Sequence, residues 1–132
     1  MAAAFKVLIV DNAPYARERL KTLFESHGHH VVGEAQDTAT AVDLYQKLKP
    51  DVVTLDLLLT GEHGFRTLIG LRKVDAKAKV IVVSALNDYD TMKKATQLGA
   101  CAFVTKAEDW AQIEAAIGQA MGTLPSKPQP KG

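Results

Sequence analysis

Runs of β-branched and apolar residues alternate with amphipathic segments about five times along the chain. That alternation predicts βα units built around a parallel sheet. Residues 7–10 are apolar at every position, as a central strand buried on both faces requires. Pro14 suits the first turn of a helix in which Ala16, Leu20, Leu23 and Phe24 recur at helical spacing through His27, with Gly28 as its C-terminal cap. Residues 31–35 predict a weaker second strand near a sheet edge. Thr38 is read as the cap of a helix whose inner face is Ala41, Leu44, Tyr45 and Leu48, and Pro50 stops it before a third strand at 52–55. A loop with Gly61 and Gly64 leads to a helix carrying Phe65, Leu68, Ile69 and Arg72 on one face. Residues 80–83 predict a fourth strand ending at Ser84, residues 88–98 a helix, and residues 101–105 a fifth strand. A last helix at 108–121 is expected to bury Trp110, Ile113, Ile117 and Met121.

The 132 residues fit one domain, residues 1–122, followed at 123–132 by a flexible tail holding Pro125, Pro128 and Pro130. A hydrophobic fraction of 47% and a charged fraction of 23% are ordinary for a globular protein. The net charge of +1 makes no electrostatic case for nucleic acid or an anionic membrane as partner. No apolar stretch approaches the roughly 20 residues of a membrane span, and no secretory signal opens the chain, so a cytoplasmic location is expected. Cys101 has no second cysteine to pair with and reads as a small buried residue at a strand start. A dinucleotide glycine fingerprint is absent.

Chemistry concentrates at the ends of the apolar runs. Asp11, Asp56 and Lys106 each close one, and in a parallel sheet the carboxyl ends of the strands share an edge where ligands bind. An exposed carboxylate at Asp56 suits a nucleophile that takes a phosphoryl group as an acyl phosphate; the plainer reading is a turn former. Asp11 and Asp56 at 4 Å would repel by roughly 4 kcal/mol at an effective dielectric near 20. A cation relieves that repulsion, and Mg²⁺ fits because it takes oxygen ligands from one or two carboxylates plus phosphate. Asn12 adds an amide oxygen without charge, while Asp11 also suits a cap for the helix at Pro14. Lys106 is placed to pair with Asp56 and then with a phosphate oxygen. Ser84 is either a phosphoryl hydrogen-bond donor or a cap. His27, His29 and His30 read as a solvated turn rather than a metal site, with His27 favouring the helix dipole. His63 reads as a surface-loop residue, and Trp110 as core or interface packing.

The segments VLIVDNAPYARERL, DVVTLDLLLTGEHG, VIVVSA and GACAFVTKA, in that order and spacing, resemble the landmarks of bacterial two-component response regulator receiver domains, above all the chemotaxis type that stands alone. The resemblance implies a flavodoxin-like (βα)5 doubly wound α/β fold with a parallel sheet in the order 2-1-3-4-5. It implies that Asp56 is the phosphoacceptor of a sensor histidine kinase or phosphotransfer protein. Asp11, Asn12, Asp56 and the backbone carbonyl of Leu58 would hold Mg²⁺. Ser84 would be the switch hydroxyl, Phe103 the switch aromatic and Lys106 the phosphate-binding lysine. The domain would signal rather than act as an enzyme, beyond slow self-catalysed phosphotransfer and dephosphorylation. Its output would be a protein partner on the face made by the fourth helix, fifth strand and fifth helix, where Lys93, Lys94 and Gln97 fall, with the domain a monomer or a phosphorylation-dependent dimer.

Several positions depart from the family pattern. Asn12 replaces an acid, Thr60 replaces a proline, and Ala107 replaces a proline often preceded by a cis bond, so a trans bond is expected here. Leu58 and Leu86 stand where receivers line the path of the hydrolytic water, and neither orients water, which implies a long-lived phosphate. The competing function is a phosphorylation-independent receiver-like binding module. An aspartyl-phosphate hydrolase of the haloacid dehalogenase kind is disfavoured by Leu58, where that class has a general acid. An FMN-binding flavodoxin is disfavoured because no phosphate loop follows the first strand.

Overall fold

The computed structural model describes residues 4–59, 62–85, 88–105 and 109–122. Thr60, Gly61, Leu86, Lys106, Ala107, Glu108 and the tail at 123–132, all singled out above, lie outside the described residues. The elements run β1 (Lys6–Val10), α1 (Pro14–Ser26), β2 (His30–Ala35), α2 (Thr38–Leu48), β3 (Val52–Leu55), β4 (Leu58–Leu59), β5 (Glu62–His63), α3 (Gly64–Val74), β6 (Val80–Val83), α4 (Tyr89–Gln97), β7 (Ala102–Val104) and α5 (Trp110–Met121). Five strands form one sheet in the order β2-β1-β3-β6-β7, each neighbouring pair parallel. Counted within that sheet, the order is the expected 2-1-3-4-5.

The central strands are buried at every position apart from Lys6, and their side chains alternate between two cores. Leu8, Val10, Val53, Leu55, Val80 and Val82 meet α2, α3 and α4 through Ala41, Tyr45, Leu68, Leu71 and Ala95. Val7, Ile9, Val52, Ile81 and Val83 meet α1 and α5 through Leu20, Phe24, Ile113, Ala116 and Ile117. Period-2 alternation in strands apolar throughout is what covers both faces of the sheet. Thr54 breaks the apolar pattern: it is 1% exposed and its Oγ1 has no hydrogen-bond partner. A hydroxyl buried without a partner costs roughly 1–3 kcal/mol. Thr54→Val is therefore expected to stabilise the fold by about 1 kcal/mol, read as a higher urea midpoint at unchanged slope.

Local details differ from the pattern-based reading in four places. Thr38 does not cap α2. Asp37 does, accepting from the Thr40 N–H at 2.8 Å, while the Thr38 hydroxyl meets that of Thr67 at 2.8 Å and ties α2 to α3. That pairing turns Thr67 inward, so α3 buries Gly64, Thr67, Leu68 and Leu71 and leaves Ile69 42% exposed. The loop after Asp56 contains a short antiparallel ladder, Leu58 opposite His63 and Leu59 opposite Glu62. The histidine-rich turn is not wholly solvated. His29 is 7% exposed, and its Nδ1 accepts from the Phe5 N–H at 3.1 Å. Burial pushes its pKa down, helped by the neighbouring charges of His27 and His30 and opposed by Glu114. His27 lies flat on Trp110, ring centroids 3.9 Å apart, and Phe24 meets the same indole edge-on. Trp110 thus packs α5 onto the end of α1, as a core residue does.

Candidate functional site

Parallel pairing brings the carboxyl ends of β1, β3 and β6 together. Val10 pairs with Leu55, so Asp11 and Asp56 leave adjacent strands side by side. Their backbones are fixed by the sheet's last bonds: the Asp11 N–H donates to Ala35 O and the Asp56 N–H to Val10 O, both at 3.0 Å. Each side chain then folds back on its own turn. Asp11 Oδ1 accepts from the Ala13 N–H at 2.9 Å, and Asp56 Oδ1 from the Leu58 N–H at 3.1 Å. The plain turn-forming role is therefore present at both positions, and it aims both carboxylates into one place.

Asp11 is 8% exposed. Burial raises its pKa, and the charge of Asp56 raises it further; the Ala13 N–H and Arg17 pull the other way. Two carboxylates that feel each other across the sheet edge form an acidic site that a cation would relieve. Ser84 follows β6 on the same edge, 5% exposed, its N–H bonded to Val104 O at 3.0 Å. A cavity of about 530 Å³ is lined at the strand ends by Asp11, Asp56 and Ser84 and along α1 by Leu20 and Leu23. Asn12 is half-buried beside Asp11. Leu58 is 51% exposed on the first rung of the β4–β5 ladder. Phe103, paired with Val82 in the sheet, is half-buried against the core shared with α2, α3 and α4. His63 stays on the surface, where its Nδ1 caps α3 by accepting from the Phe65 N–H at 3.1 Å.

A strand-end acidic pair, a hydroxyl one strand away and a 2-1-3-4-5 sheet call for comparison with known proteins. The family model of the response regulator receiver domain matches residues 7–118. The chain belongs to that family. It is similar to the chemotaxis protein CheY of Thermotoga maritima, 38% identical over 101 residues that cover 76% of this chain and 84% of the relative. Protein CcdB of Bacillus subtilis is 34% identical over 117 residues, 89% of this chain and 98% of the relative. Among solved structures, a chain of the CheX–CheY–BeF3–Mg²⁺ complex from Borrelia burgdorferi superposes with a TM-score of 0.83 at 30% identity, covering 89% of each chain. Receivers are signalling domains of two-component systems, and the flavodoxin-like fold is shared with them. No helix among the described residues is long and apolar enough to cross a membrane.

The oxygen donors of this site suit a hard divalent cation of the Mg²⁺ kind. Among the described residues no three His, Cys, Asp or Glu side chains group as a closed metal cage would need. Two carboxylates on one strand-end edge match a hard cation that keeps several waters and completes its shell with phosphate. Two contributors carried no signal in the hydropathy pattern. Arg17 donates from Nη1 to the backbone oxygen of Asp11 at 2.7 Å and from Nε to Glu34 at 3.0 Å. Gly64 donates its N–H to Leu57 O at 2.8 Å and closes the turn that follows Asp56. Arg17 sits among other charged helix residues, and a single glycine in a loop does not announce what it touches.

Proposed function

We propose that this receiver accepts a phosphoryl group on Asp56 from a histidine kinase or phosphotransfer protein and thereby switches a protein-binding surface. The reading rests on one observation: Asp11 and Asp56 leave paired strand ends into a single cavity that also receives Ser84. An oxygen of Asp56 attacks phosphorus, the N–P bond of the donor phosphohistidine breaks, and the leaving imidazole takes up a proton. Such a transfer needs positioning and charge stabilisation more than covalent chemistry. Asp11, Asp56, Asn12 and the Leu58 carbonyl would hold Mg²⁺, which when bound neutralises charge on the phosphoryl oxygens. Lys106, assigned by the resemblance, would contact another of those oxygens, and Ser84 would donate to a third.

Phosphorylation then favours whichever state places Ser84 on the phosphate, a population shift set by that differential contact. Phe103 is half-buried against the core that includes Ala95 of α4, so its rotamer would report the shift at the α4–β7–α5 face. There Tyr89 is 75% exposed, with Lys93 Nζ 5.9 Å from its ring centre, and Lys94 is exposed nearby. That surface suits a protein partner.

Asn12 favours a second reading, a binding module that works without phosphorylation, because one negative charge is missing from the acidic pocket. Beryllofluoride separates the two. With Mg²⁺ present, a bound fluorine resonance that Asp56→Asn abolishes supports the phosphoacceptor; no bound resonance at saturating Mg²⁺ supports the module. Phosphate lifetime follows from Leu58, an apolar side chain that orients no water. Leu58→Asn, alone or with Leu86→Glu, is expected to speed dephosphorylation several-fold in a decay assay, and unchanged decay would refute that role.

A further inference from the structure

Strand β2 does not pair evenly with β1: Val7 faces Val31, but Leu8 faces Gly33, so β2 carries one extra residue, Val32. A slip of one residue sends every later side chain to the opposite face of the sheet, and bulges of this kind re-aim side chains near functional sites. Here the consequence is visible. Val31 packs against the α1–α5 core, whereas Gly33 abuts Leu48 and Leu44 of α2, and Ala35 joins the core on that same side. Glu34, between them, is turned to the α1 side, where it meets Arg17 at 3.0 Å. Without the extra residue Glu34 would fall on the face covered by α2.

Arg17 uses the same planar fork to donate to the backbone oxygen of Asp11 at 2.7 Å. The Arg17 side chain is only 16% exposed. The shifted part of β2 also supplies Ala35 O to the Asp11 N–H. The carbonyl of Asp11 is thus held by α1, its N–H by β2, and its Oδ1 by the Ala13 N–H. Arginine suits this place because its fork makes two directed bonds at once, which a lysine ammonium does not reproduce.

Resting on the receiver reading above, we propose that Arg17, oriented by Glu34 through the bulge at Val32, is a positioning residue that holds the β1–α1 turn in the shape in which Asp11 and Asn12 bind Mg²⁺. The clamp matters more here than in a site with three acids, because Asn12 leaves two carboxylates to hold the ion and neither has slack in its placement. The edge strand is thereby coupled to the metal although it contributes no ligand.

The test is Mg²⁺ affinity by titration calorimetry on the full chain for wild type, Arg17→Met, Arg17→Lys and Glu34→Gln, each with its urea midpoint measured without metal. Arg17→Met is expected to weaken Mg²⁺ binding on the order of 10-fold or more, the range seen when a group orienting a metal ligand is removed. Arg17→Lys should recover part of that loss, and Glu34→Gln should weaken binding by a smaller factor. Amide exchange at Ala13 should quicken in the same order, while the metal-free midpoints of the Lys and Gln variants stay near wild type. Wild-type affinity in Arg17→Met, or losses that simply follow falling midpoints across all three variants, would overturn the clamp. Absence of Mg²⁺ binding in folded wild type would instead overturn the phosphoacceptor reading on which the clamp rests.

Discussion

Gly64→Ala is expected to destabilise the protein by about 3 kcal/mol and to remove phosphorylation of Asp56 together with it, a steric effect at the upper end of overpacking. A Cβ at Gly64 would lie 2.6 Å from Leu57 Cα and 2.7 Å from Asp56 O. Both are backbone atoms of the acceptor's own turn, so neither can rotate out of the way as a side-chain tip does. Relief must come from opening the turn, which breaks the Gly64 N–H bond to Leu57 O and moves the peptide that aims Asp56. Gly70 is the control on the same helix. Its Cβ would meet only side-chain methyls, Val42 Cγ2 at 3.2 Å and Thr38 Cγ2 at 3.6 Å, and an alanine in a helix interior gains up to about 1 kcal/mol over glycine. Gly70→Ala should leave stability and phosphorylation near wild type. Urea unfolding together with intact mass after phosphodonor treatment reads both effects, and equal behaviour of the two alanines would contradict the role given to Gly64.

Asp11→Asn should separate stability from function. Asparagine keeps the oxygen that accepts the Ala13 N–H, so the turn survives. What goes is a carboxylate whose pKa burial and Asp56 both push up. A carboxyl group held above its ordinary pKa favours the proton in the folded state. Its ionisation therefore opposes folding at neutral pH, and that opposition fades as pH falls through the raised pKa. Removing it is expected to raise the thermal midpoint of the metal-free protein at pH 7, with the gain vanishing in acid. Mg²⁺ binding should move in the opposite direction. With Asn12 already neutral, Asp56 becomes the one carboxylate left at the strand ends of the cavity among the described residues. A unit charge at 4 Å contributes roughly 4 kcal/mol at an effective dielectric near 20, so affinity should drop by on the order of 100-fold or more. Scanning calorimetry at two pH values and an Mg²⁺ titration check the pair of signs; a lower midpoint at pH 7 with unchanged affinity would contradict both.

The fold was legible because its strands, 7–10, 52–55 and 80–83, are apolar at nearly every position while the intervening segments carry helical periodicity. The convergence of the candidate site's residues was legible for the same reason: Asp11, Asp56 and Ser84 each stand where an apolar run stops, and parallel pairing gathers such ends. What escaped depends on contacts rather than periods. The segment HVVGEA reads as a strand with or without a bulge, so the side on which Glu34 emerges is undetermined until pairing with β1 is known. Thr67 looks like a solvated helix position until Thr38 is found opposite it. His29 looks like part of a polar turn, yet a ring nitrogen that accepts the Phe5 N–H and carbons that stack on Phe5 make it a core residue. In each of these three the polar side chain is placed by one specific partner distant in sequence.

Intact mass of the full chain after incubation with acetyl phosphate, with and without Mg²⁺ and with Asp56→Asn alongside, addresses the receiver's central chemistry most directly. The expected result is one added phosphoryl group that needs both Mg²⁺ and Asp56. No mass gain in folded wild-type protein at saturating Mg²⁺, or an equal gain in Asp56→Asn, would contradict it.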